Sequence, residues 1–536
     1  MLLLIAILIL LLTPLAMLII HLVRPRFSYH WLVAVAGAGL AWPMVLISRP
    51  SVPHLIPLMT WQPEAYLTTS PILLNDSVSW SYGLAISTLA LVIVLTAVAR
   101  MGQSDWRAWV GTLSLAGMGL LAALAGNPIT MLMAWAALDG VELLILLALG
   151  RQSVVREEMV LAFSARVAGI FLLLLAWMVA MSSGETLAFD AIPPSTILLL
   201  LSAAGIRLVV LSLHMPFTRR FPFQPDLGTA LRLIPAATSL VLLGRIAISR
   251  QSPTDLAVSS IAQGVMSDNL TALVLAFSAL AALVGGVLWV MSNNELDGRP
   301  YWVLGMASLS MAAAIRAQPE ASQAFGLAMI LAGGVLFLYS VRHRFLMIFP
   351  ILGLLGFTAL PFTPAWEGVQ VYSPLIPLSV KIVFLLAHAL LLTGYLKHFL
   401  RTTESLSGVE RWVWVIYPLG LGLLVLVQFS WLLWKSADLK GLLLAVKWEG
   451  LATIGLAVLF WFVNLGFLQK QQIGETTPVR FISLRWLFRI FLDIYRFTGR
   501  LVSIFTLVLE GEGGVLWALV LLILLFSLLL QRGLGG

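Results

Sequence analysis

The sequence predicts an all-α integral membrane protein with about 16 transmembrane helices, and three observations support this fold class. Hydrophobic residues make up 60% of the 536 positions and charged residues only 10%, whereas soluble globular chains carry roughly 25% charged residues. The mean hydropathy is +1.00. Apolar runs long enough to cross a bilayer as helices recur along the whole chain, which favours helices over a β-barrel.

Composition and motif content exclude several function classes. The chain has no cysteine, so disulfides, thiolate metal sites and iron–sulfur clusters are ruled out. The seven histidines are scattered, and neither a Gly-rich phosphate loop nor a nucleotide fingerprint is present. In a membrane chain, the net charge of +8 concerns orientation and lipid headgroups more than nucleic acid. We therefore expect no cofactor, no metal and no nucleic-acid partner.

Hydropathy and loop charge together predict the spans and their orientation. The first apolar run is interpreted as a helix and not as a signal peptide, because Arg24 and Arg26 follow it and no basic residue precedes it. Loops after odd-numbered spans, up to the thirteenth, carry an excess of Lys and Arg, and loops after even-numbered spans an excess of Asp and Glu. The positive-inside rule then places both termini outside the cytoplasm, in what we expect to be a bacterial inner membrane. The candidate spans are 1–21, 31–48, 78–99, 108–125, 128–149, 159–182, 196–213, 227–248, 269–292, 301–315, 321–341, 345–361, 375–396, 412–434, 447–468 and 513–531.

Two spans contain prolines that predict broken helices. The seventh runs into LSLHMPF, where Pro216 follows soon after His214, and the twelfth ends in ALPFTPAW, with Pro361 and Pro364. Each proline alone is explained by a helix end, but the five-span separation suggests an inverted repeat whose unwound backbone lines a polar cavity. The predicted domains are helices 1–3 (1–107), a first repeat of helices 4–8 (108–249), a second repeat of helices 9–13 (268–398) and helices 14–15 (411–470).

The C-terminal region predicts an amphipathic lateral helix, 478–510, before the last span, 513–531. Its arginines recur at helical intervals on one stripe, with aromatic and aliphatic residues around them. Such a stripe favours a helix that lies in the membrane interface. The stripe consists of Arg485, Arg489, Arg496 and Arg500.

Ionisable residues at membrane depth are the candidate functional residues. Asp139 and Glu142 lie one helical turn apart in the fifth span, and a charged residue at the bilayer centre costs about 2.5–3.5 kcal/mol on insertion scales. Such groups either brace the helix bundle through ion pairs or form a proton or ion path, and their number favours a path. The others are Arg166, Arg207, Arg232 and Arg245, with Lys381 and His388 on one face of the thirteenth span.

The motifs resemble those of the antiporter-like membrane subunits of proton-pumping NADH:quinone oxidoreductase, and of the related Mrp-type Na+/H+ antiporters. LDGVEL resembles the family's WEGVGL and would place Asp139 at its key glutamate. AFSARVAG resembles AFLVNRVGD at Arg166, and GIRLVVLSLH resembles GKSAQFPLH, with Arg207 at the key lysine and His214 at the histidine. LIPAATSLVLLGRI matches a further family segment at Arg245. The resemblance covers roughly 70–470 and is strongest to the largest of these subunits, which has 16 spans and a lateral helix.

The departures from the family pattern concern its proton-carrying residues. Arginine replaces the seventh-span lysine, and arginine does not release its proton in proteins. Pro235 stands where the family has a membrane histidine, and Gln323 lies in a segment that lacks the family's His and Lys. The lysine that follows the family's twelfth span is also missing. Lys381 and His388 are the candidates for a substitute path.

The resemblance implies a proton- or cation-translocating subunit of a multisubunit membrane complex related to respiratory complex I, at most a non-redox subunit of such an enzyme. Asp139 is expected to pair with Arg207 as a fixed charge, while Glu142 or His214 carries the proton. The implied partners are other membrane subunits, the lipid bilayer and a soluble cytoplasmic subunit. Two alternatives remain: a degenerate, non-pumping scaffold, and a stand-alone cation/proton antiporter. A hydrated path from Asp139 to the Lys381–His388 face would favour translocation, and arginines closed into salt bridges would favour the scaffold.

Overall fold

The computed structural model describes residues 1–58, 70–100, 105–149, 153–213, 225–251, 268–340, 343–372, 377–401, 410–435 and 448–471. Four features expected from the sequence lie outside the described residues: His214, the continuation of the seventh span, the lateral helix with its four stripe arginines, and the last span.

The described chain is built almost entirely from helices. Up to residue 251 they are α1 (Leu2–Val23), α2 (His30–Ile47), α3 (Ser77–Thr96), α4 (Trp106–Ala123), α5 (Pro128–Leu149), α6 (Ser153–Ser182), α7 (Ile197–Leu213) and α8 (Pro225–Gln251). The later helices are α9 (Asp268–Met291), α10 (Glu295–Ile315), α11 (Pro319–Leu338), α12 (Ile348–Leu355), α13 (Leu378–Phe399), α14 (Val413–Lys435) and α15 (Trp448–Gln471). Two short antiparallel strands, β1 (His54–Pro57) and β2 (Ile72–Asn75), precede α3.

Ten of the described helices are long and apolar enough to cross a membrane. This confirms the predicted class, a helical integral membrane protein. Shorter apolar helices occur at Pro194–Val209 and Trp448–Val463, and the sixteenth predicted span falls outside the described ranges. The ten helices are α1, α2, α3, α5, α6, α8, α9, α11, α13 and α14.

Three helices form the centre of this arrangement. α3, α8 and α11 pack against one another, and 94%, 94% and 100% of their most apolar windows are buried. Helices that bury nearly their whole surface are typical of the interior of a large helical bundle. The outer helices keep apolar surface exposed, as in α1 and α6, where 33% and 28% of the window is buried.

The start of α3 is fixed by a capping box and by a distant arginine. The Asp76 carboxylate accepts the Ser79 backbone N–H at 2.6 Å, and the Ser79 hydroxyl accepts the Asp76 backbone N–H at 2.9 Å, so two otherwise unpaired donors are satisfied. Arg245 of α8 lies 3.5 Å from the same carboxylate and donates to the Ala125 carbonyl. Arg245 therefore holds the ends of α3 and α4 against α8.

The twelfth span is interrupted, as the prolines predict. α12 ends at Leu355, and a non-helical segment follows before a 3-10 helix at Trp366–Tyr372. Ala359 and Phe362 in this segment have positive φ angles of 55° and 62°, a conformation that non-glycine residues rarely adopt.

The expected tenth span, 301–315, is too short, because α10 begins at Glu295. Asn294 caps the helix by accepting the Leu296 backbone N–H at 3.4 Å. Gly285 of α9 lies against α10 so closely that a Cβ there would be 2.6 Å from the Gly305 nitrogen. This close backbone approach is typical of small residues between membrane helices.

Candidate charge-transfer site

The two carboxylates of α5 face the interior of the bundle. Asp139 is 0% exposed and Glu142 is 3% exposed. Their spacing of one helical turn turns both side chains to the same face, where α6 packs directly on α5. A pair of carboxylates buried this deeply needs positive partners, because an unpaired buried charge is strongly destabilising.

Asp139 forms a bidentate ion pair with an arginine of another helix. Arg207 of α7 donates two hydrogen bonds to its carboxylate, at 2.6 Å and 2.8 Å. The Arg207 guanidinium also lies 4.3 Å from the ring centroid of Trp135, one turn earlier on α5, and the Trp135 indole donates to Thr238 of α8 at 3.1 Å. A bidentate pair stacked on an aromatic ring has a fixed geometry. The predicted Asp139–Arg207 pair is therefore confirmed as a contact.

Arg166 of α6 is shared between the two carboxylates. Its Nη1 donates to the Glu142 carboxylate and lies 3.5 Å from Asp139 Oδ1. Glu142 and Asp139 are thus linked through one guanidinium, and a change of charge on either carboxylate alters the forces on Arg166. Arg166 therefore has two carboxylates within reach.

Arg232 extends the cluster through α8. It is buried and interacts electrostatically with Glu142, Arg166 and Arg299 of α10. Arg299 belongs to the first turns of α10, so Arg232 connects the charged residues of α5 and α6 electrostatically with those of α10.

The sequence analysis missed the groups at the α10 end. Arg299 donates to Glu295 at 2.6 Å, to Thr229 of α8 at 3.1 Å and to the Phe337 carbonyl at 2.9 Å. Glu295 also pairs with Arg401, just after α13, at 2.7 Å. We call the whole set the charge row, and its members are Asp139, Glu142, Arg166, Arg207, Arg232, Arg299, Glu295 and Arg401.

His388 and Lys381 have partners outside the charge row. The Phe357 carbonyl is 2.8 Å from His388 Nε2 and can only accept a hydrogen bond, so Nε2 is the donor and Nδ1 accepts from the Tyr372 hydroxyl at 2.8 Å. Lys381 pairs with Glu449 of α15 at 2.7 Å. The two side chains share α13, but their described partners come from the non-helical segment after α12, from the 3-10 helix that follows it, and from α15.

The charge row has a defined chemical capacity. Its carboxylates can bind and release protons, whereas its arginines keep theirs and act as permanent positive charges. Among the described residues, no group of three or more His, Asp or Glu side chains could hold a metal ion. The carboxylates of the row can thus bind protons, and their arginine partners can move when a carboxylate changes charge.

Comparison with known proteins identifies solved structures that share this fold. No family model matches the sequence, and no curated protein matches it. A chain of the Mrp complex from Dietzia sp. DQ12-45-1b matches with a TM-score of 0.68 and 13% identity, over 99% of this chain and 63% of that chain. A chain of the membrane-bound sulfane sulfur reductase, an archaeal respiratory membrane complex, matches with a TM-score of 0.63 and 13% identity, over 97% and 100% of the two chains. A chain of respiratory complex I from Thermus thermophilus matches with a TM-score of 0.55 and 18% identity, over 79% and 97%.

These likenesses establish the fold at low sequence identity. The protein is a helical integral membrane protein with the fold of chains found in these membrane complexes. The chain spans 63% of the length of the Mrp chain that it matches. The resemblance drawn from the sequence motifs is thereby confirmed in three dimensions, and it leaves activity and partners as proposals.

Proposed function

We propose that this protein is a proton- or cation-translocating, antiporter-like subunit of a multisubunit membrane complex. The observation that carries the proposal is the burial of Asp139 and Glu142 on one face of α5, in contact with arginines from α6 and α7. Buried ionisable groups in membrane helices mark ion paths and proton relays more often than packing. The fold shared with chains of the Mrp complex and respiratory complex I supports the same function.

In this function the ion pairs rearrange and the arginines remain charged. Arg207 is a fixed positive charge, because it is held by two hydrogen bonds and a ring contact. Glu142 carries the proton. When Glu142 binds a proton its attraction for Arg166 falls, and Arg166 moves towards Asp139, which is already 3.5 Å away. His214 is the second candidate carrier and lies outside the described residues.

The proposal includes the organisation expected from the sequence. The repeats are 108–249 and 268–398, flanked by helices at 1–107 and 411–470. The segment 478–510 would lie laterally in the membrane interface and contact neighbouring membrane subunits, followed by the last span, 513–531. We place the protein in a bacterial inner membrane with both termini outside the cytoplasm, and with a soluble cytoplasmic subunit as a further partner.

A second candidate function is a non-pumping scaffold that anchors a partner complex. The closed geometry of the Asp139–Arg207 pair favours it, because a tightly paired arginine at the lysine position braces helices without exchanging protons. His388 favours it too, since both ring nitrogens are satisfied by neutral partners.

The test is a proton-flux assay in vesicles that hold the intact native complex. The variants are Asp139→Asn, Glu142→Gln and Arg207→Lys, with the exposed Glu410→Gln as the matched control and with assembly verified for each. We expect the first two to abolish flux, Arg207→Lys to keep or raise it, and the control to match the wild type. If the assembled wild type moves no protons, or if its flux is unchanged by all three variants, translocation is wrong and the scaffold is the better description.

A further inference from the structure

Glu295 lies at the start of a helix and contacts arginines from two different parts of the chain. It is the first residue of α10, and its side chain is 5% exposed. Its carboxylate forms ion pairs with Arg299 of its own helix at 2.6 Å and with Arg401, which follows α13, at 2.7 Å. One carboxylate thus holds two guanidiniums and ties α10 to the end of α13.

Glu295 is also connected to Glu142. Arg299 on α10 and Arg232 on α8 are buried neighbours of like charge, and Arg232 in turn interacts with Glu142. Charges in a membrane interior are weakly screened, so their effects reach over longer distances than at a water-exposed surface. Loss of the negative charge on Glu142 leaves an excess of positive charge at Arg232 and Arg299. That excess favours the charged form of Glu295.

The row becomes more accessible towards Glu295. The Asp139 side chain is 0% exposed and that of Arg299 is 3% exposed, whereas that of Arg401 is 22% exposed. Arg401 follows the thirteenth predicted span and Glu295 follows the ninth, and the loops after both are expected in the cytoplasm. Water on that side can therefore reach the end of the row through Arg401.

We propose that Glu295 is a second proton-binding carboxylate of the path, which exchanges protons with the cytoplasmic aqueous phase in alternation with Glu142. This inference rests on the proposed function and names a residue that the motifs do not mark. The proton comes from water and adds to a carboxylate oxygen of Glu295, while the arginines keep their protons. Protonation weakens the hold of Glu295 on Arg299 and Arg401, and deprotonation restores both ion pairs.

Several charged and titratable groups surround Glu295 and set its behaviour. Asp297, Arg299 and Tyr301 belong to its own helix, and Arg232 of α8 interacts electrostatically with Arg299 and Tyr301. The end of α13 contributes the others, namely Lys397, His398 and Arg401. His398 Nε2 lies 3.0 Å from the Ser292 hydroxyl at the end of α9. Positive groups outnumber negative ones around Glu295, so the charge on this one carboxylate has a large effect on the local balance.

The simpler alternative is that Glu295 only clamps α10 to α13. The two roles separate in the variant Glu295→Gln, which keeps the size of the side chain and can still accept hydrogen bonds but cannot titrate. A clamp would lower thermal stability and leave the pH dependence of flux unchanged. A proton-exchanging group changes the pH dependence itself, and Glu295→Asp restores part of it.

The experiment measures proton flux against pH in vesicles with the intact complex, together with infrared difference spectra between acidic and alkaline pH. For Glu295→Gln we expect roughly tenfold lower flux, in the range of ordinary coupling between sites, a flatter pH profile, and loss of one carboxylic-acid C=O band. The same band should shift in Glu142→Gln and stay in place in the control Glu410→Gln.

The outcomes separate this inference from the function on which it rests. If the wild type moves protons and Glu142→Gln stops them, but Glu295→Gln keeps the flux, the pH profile and the infrared band, the inference is wrong and the proposed function stands. If the wild type moves no protons, the proposed function fails. The infrared titration then decides for Glu295 alone: a band lost in Glu295→Gln supports proton exchange, and an unchanged spectrum overturns it.

Discussion

The α5–α8 region and the region around the unwound twelfth span satisfy their buried ionisable residues in opposite ways. In the first, carboxylates meet permanently charged guanidiniums, as in the bidentate Asp139–Arg207 pair. In the second, His388 is held by a carbonyl and a tyrosine hydroxyl, all of them neutral. Both solutions leave polar groups paired inside a membrane protein, but the partners of His388 are neutral, whereas those of Asp139 and Glu142 are charged.

This difference indicates where a charge-moving function would reside. Neutral hydrogen bonds around His388 fix the unwound segment at little electrostatic cost, and they respond weakly to a charge elsewhere. The α5–α8 region contains several buried ion pairs, so adding or removing a single proton changes the electrostatic forces on several helices. The comparison predicts that substitutions in the first region change stability and proton flux strongly, and that substitutions in the second region change them little.

The largest effect is expected from Asp139→Asn. It leaves the Arg207 guanidinium buried without its carboxylate, and we expect a loss of about 3–5 kcal/mol in the free energy of unfolding, since breaking a buried pair strands a charge. The measurement is thermal or denaturant unfolding of the purified full-length protein. The double variant Asp139→Leu with Arg207→Met removes both charges and should recover most of that stability. A double variant as unstable as Asp139→Asn would show that the pair matters for more than its charge.

Arg207→Lys should lower the free energy of unfolding less than Asp139→Asn does, because the positive charge remains. Lysine cannot reproduce the two parallel hydrogen bonds, and losing one charged hydrogen bond costs about 1.5–3 kcal/mol. Unfolding of the purified protein measures the cost, and flux in vesicles measures function. Stability equal to that of the wild type would mean that the bidentate geometry contributes nothing.

Gly169→Ala tests how tightly α6 must approach α7. A Cβ at Gly169 would lie 2.7 Å from Arg207 Cγ and 3.1 Å from the Ala203 carbonyl oxygen, so the Arg207 side chain must shift, which disturbs its bidentate pair with Asp139. We expect a net loss of about 1–2 kcal/mol, because overpacking outweighs the gain in helix propensity. Gly140→Ala on α5 is the matched control, since nothing lies within 4 Å of a Cβ there. Equal stability of the two variants would contradict the close approach.

The sequence was sufficient for the class and the broken helix, because each depends on local patterns, whereas the Asp139–Arg207 pair was implied by the resemblance to the antiporter-like subunits. Apolar runs define spans, prolines such as Pro361 break them, and charges inside long apolar runs must pair across helices. His388 was correctly placed on a membrane helix, but its partners come from an irregular segment whose backbone path no periodicity encodes.

The α10 end of the charge row was missed for a physical reason. Hydropathy counts charges against a span, so Glu295 and Arg299 were assigned to a loop. The local signals of a helix start were nevertheless present: Asn294 as a cap, acidic residues in the first turn, and a Glu–Arg pair at i, i+4. Arg401 could not have been assigned to Glu295 in this way, because that contact depends on how α13 packs beside α10. The same holds for Glu449, the partner of Lys381.

The smallest effect is expected in the second region, from Tyr372→Phe. The variant removes the hydroxyl that donates to His388 Nδ1 and leaves the bond from Nε2 to the Phe357 carbonyl in place. The loss should be about 0.5–1.5 kcal/mol, the usual net value of a neutral hydrogen bond inside a membrane protein, with proton flux unchanged. Unfolding and flux of the same preparation measure both quantities, and Phe325→Leu, which alters a ring contact of His388 without touching its hydrogen bonds, serves as the control. A strong loss of flux in Tyr372→Phe would place His388 in the proton path and remove the contrast between the two regions.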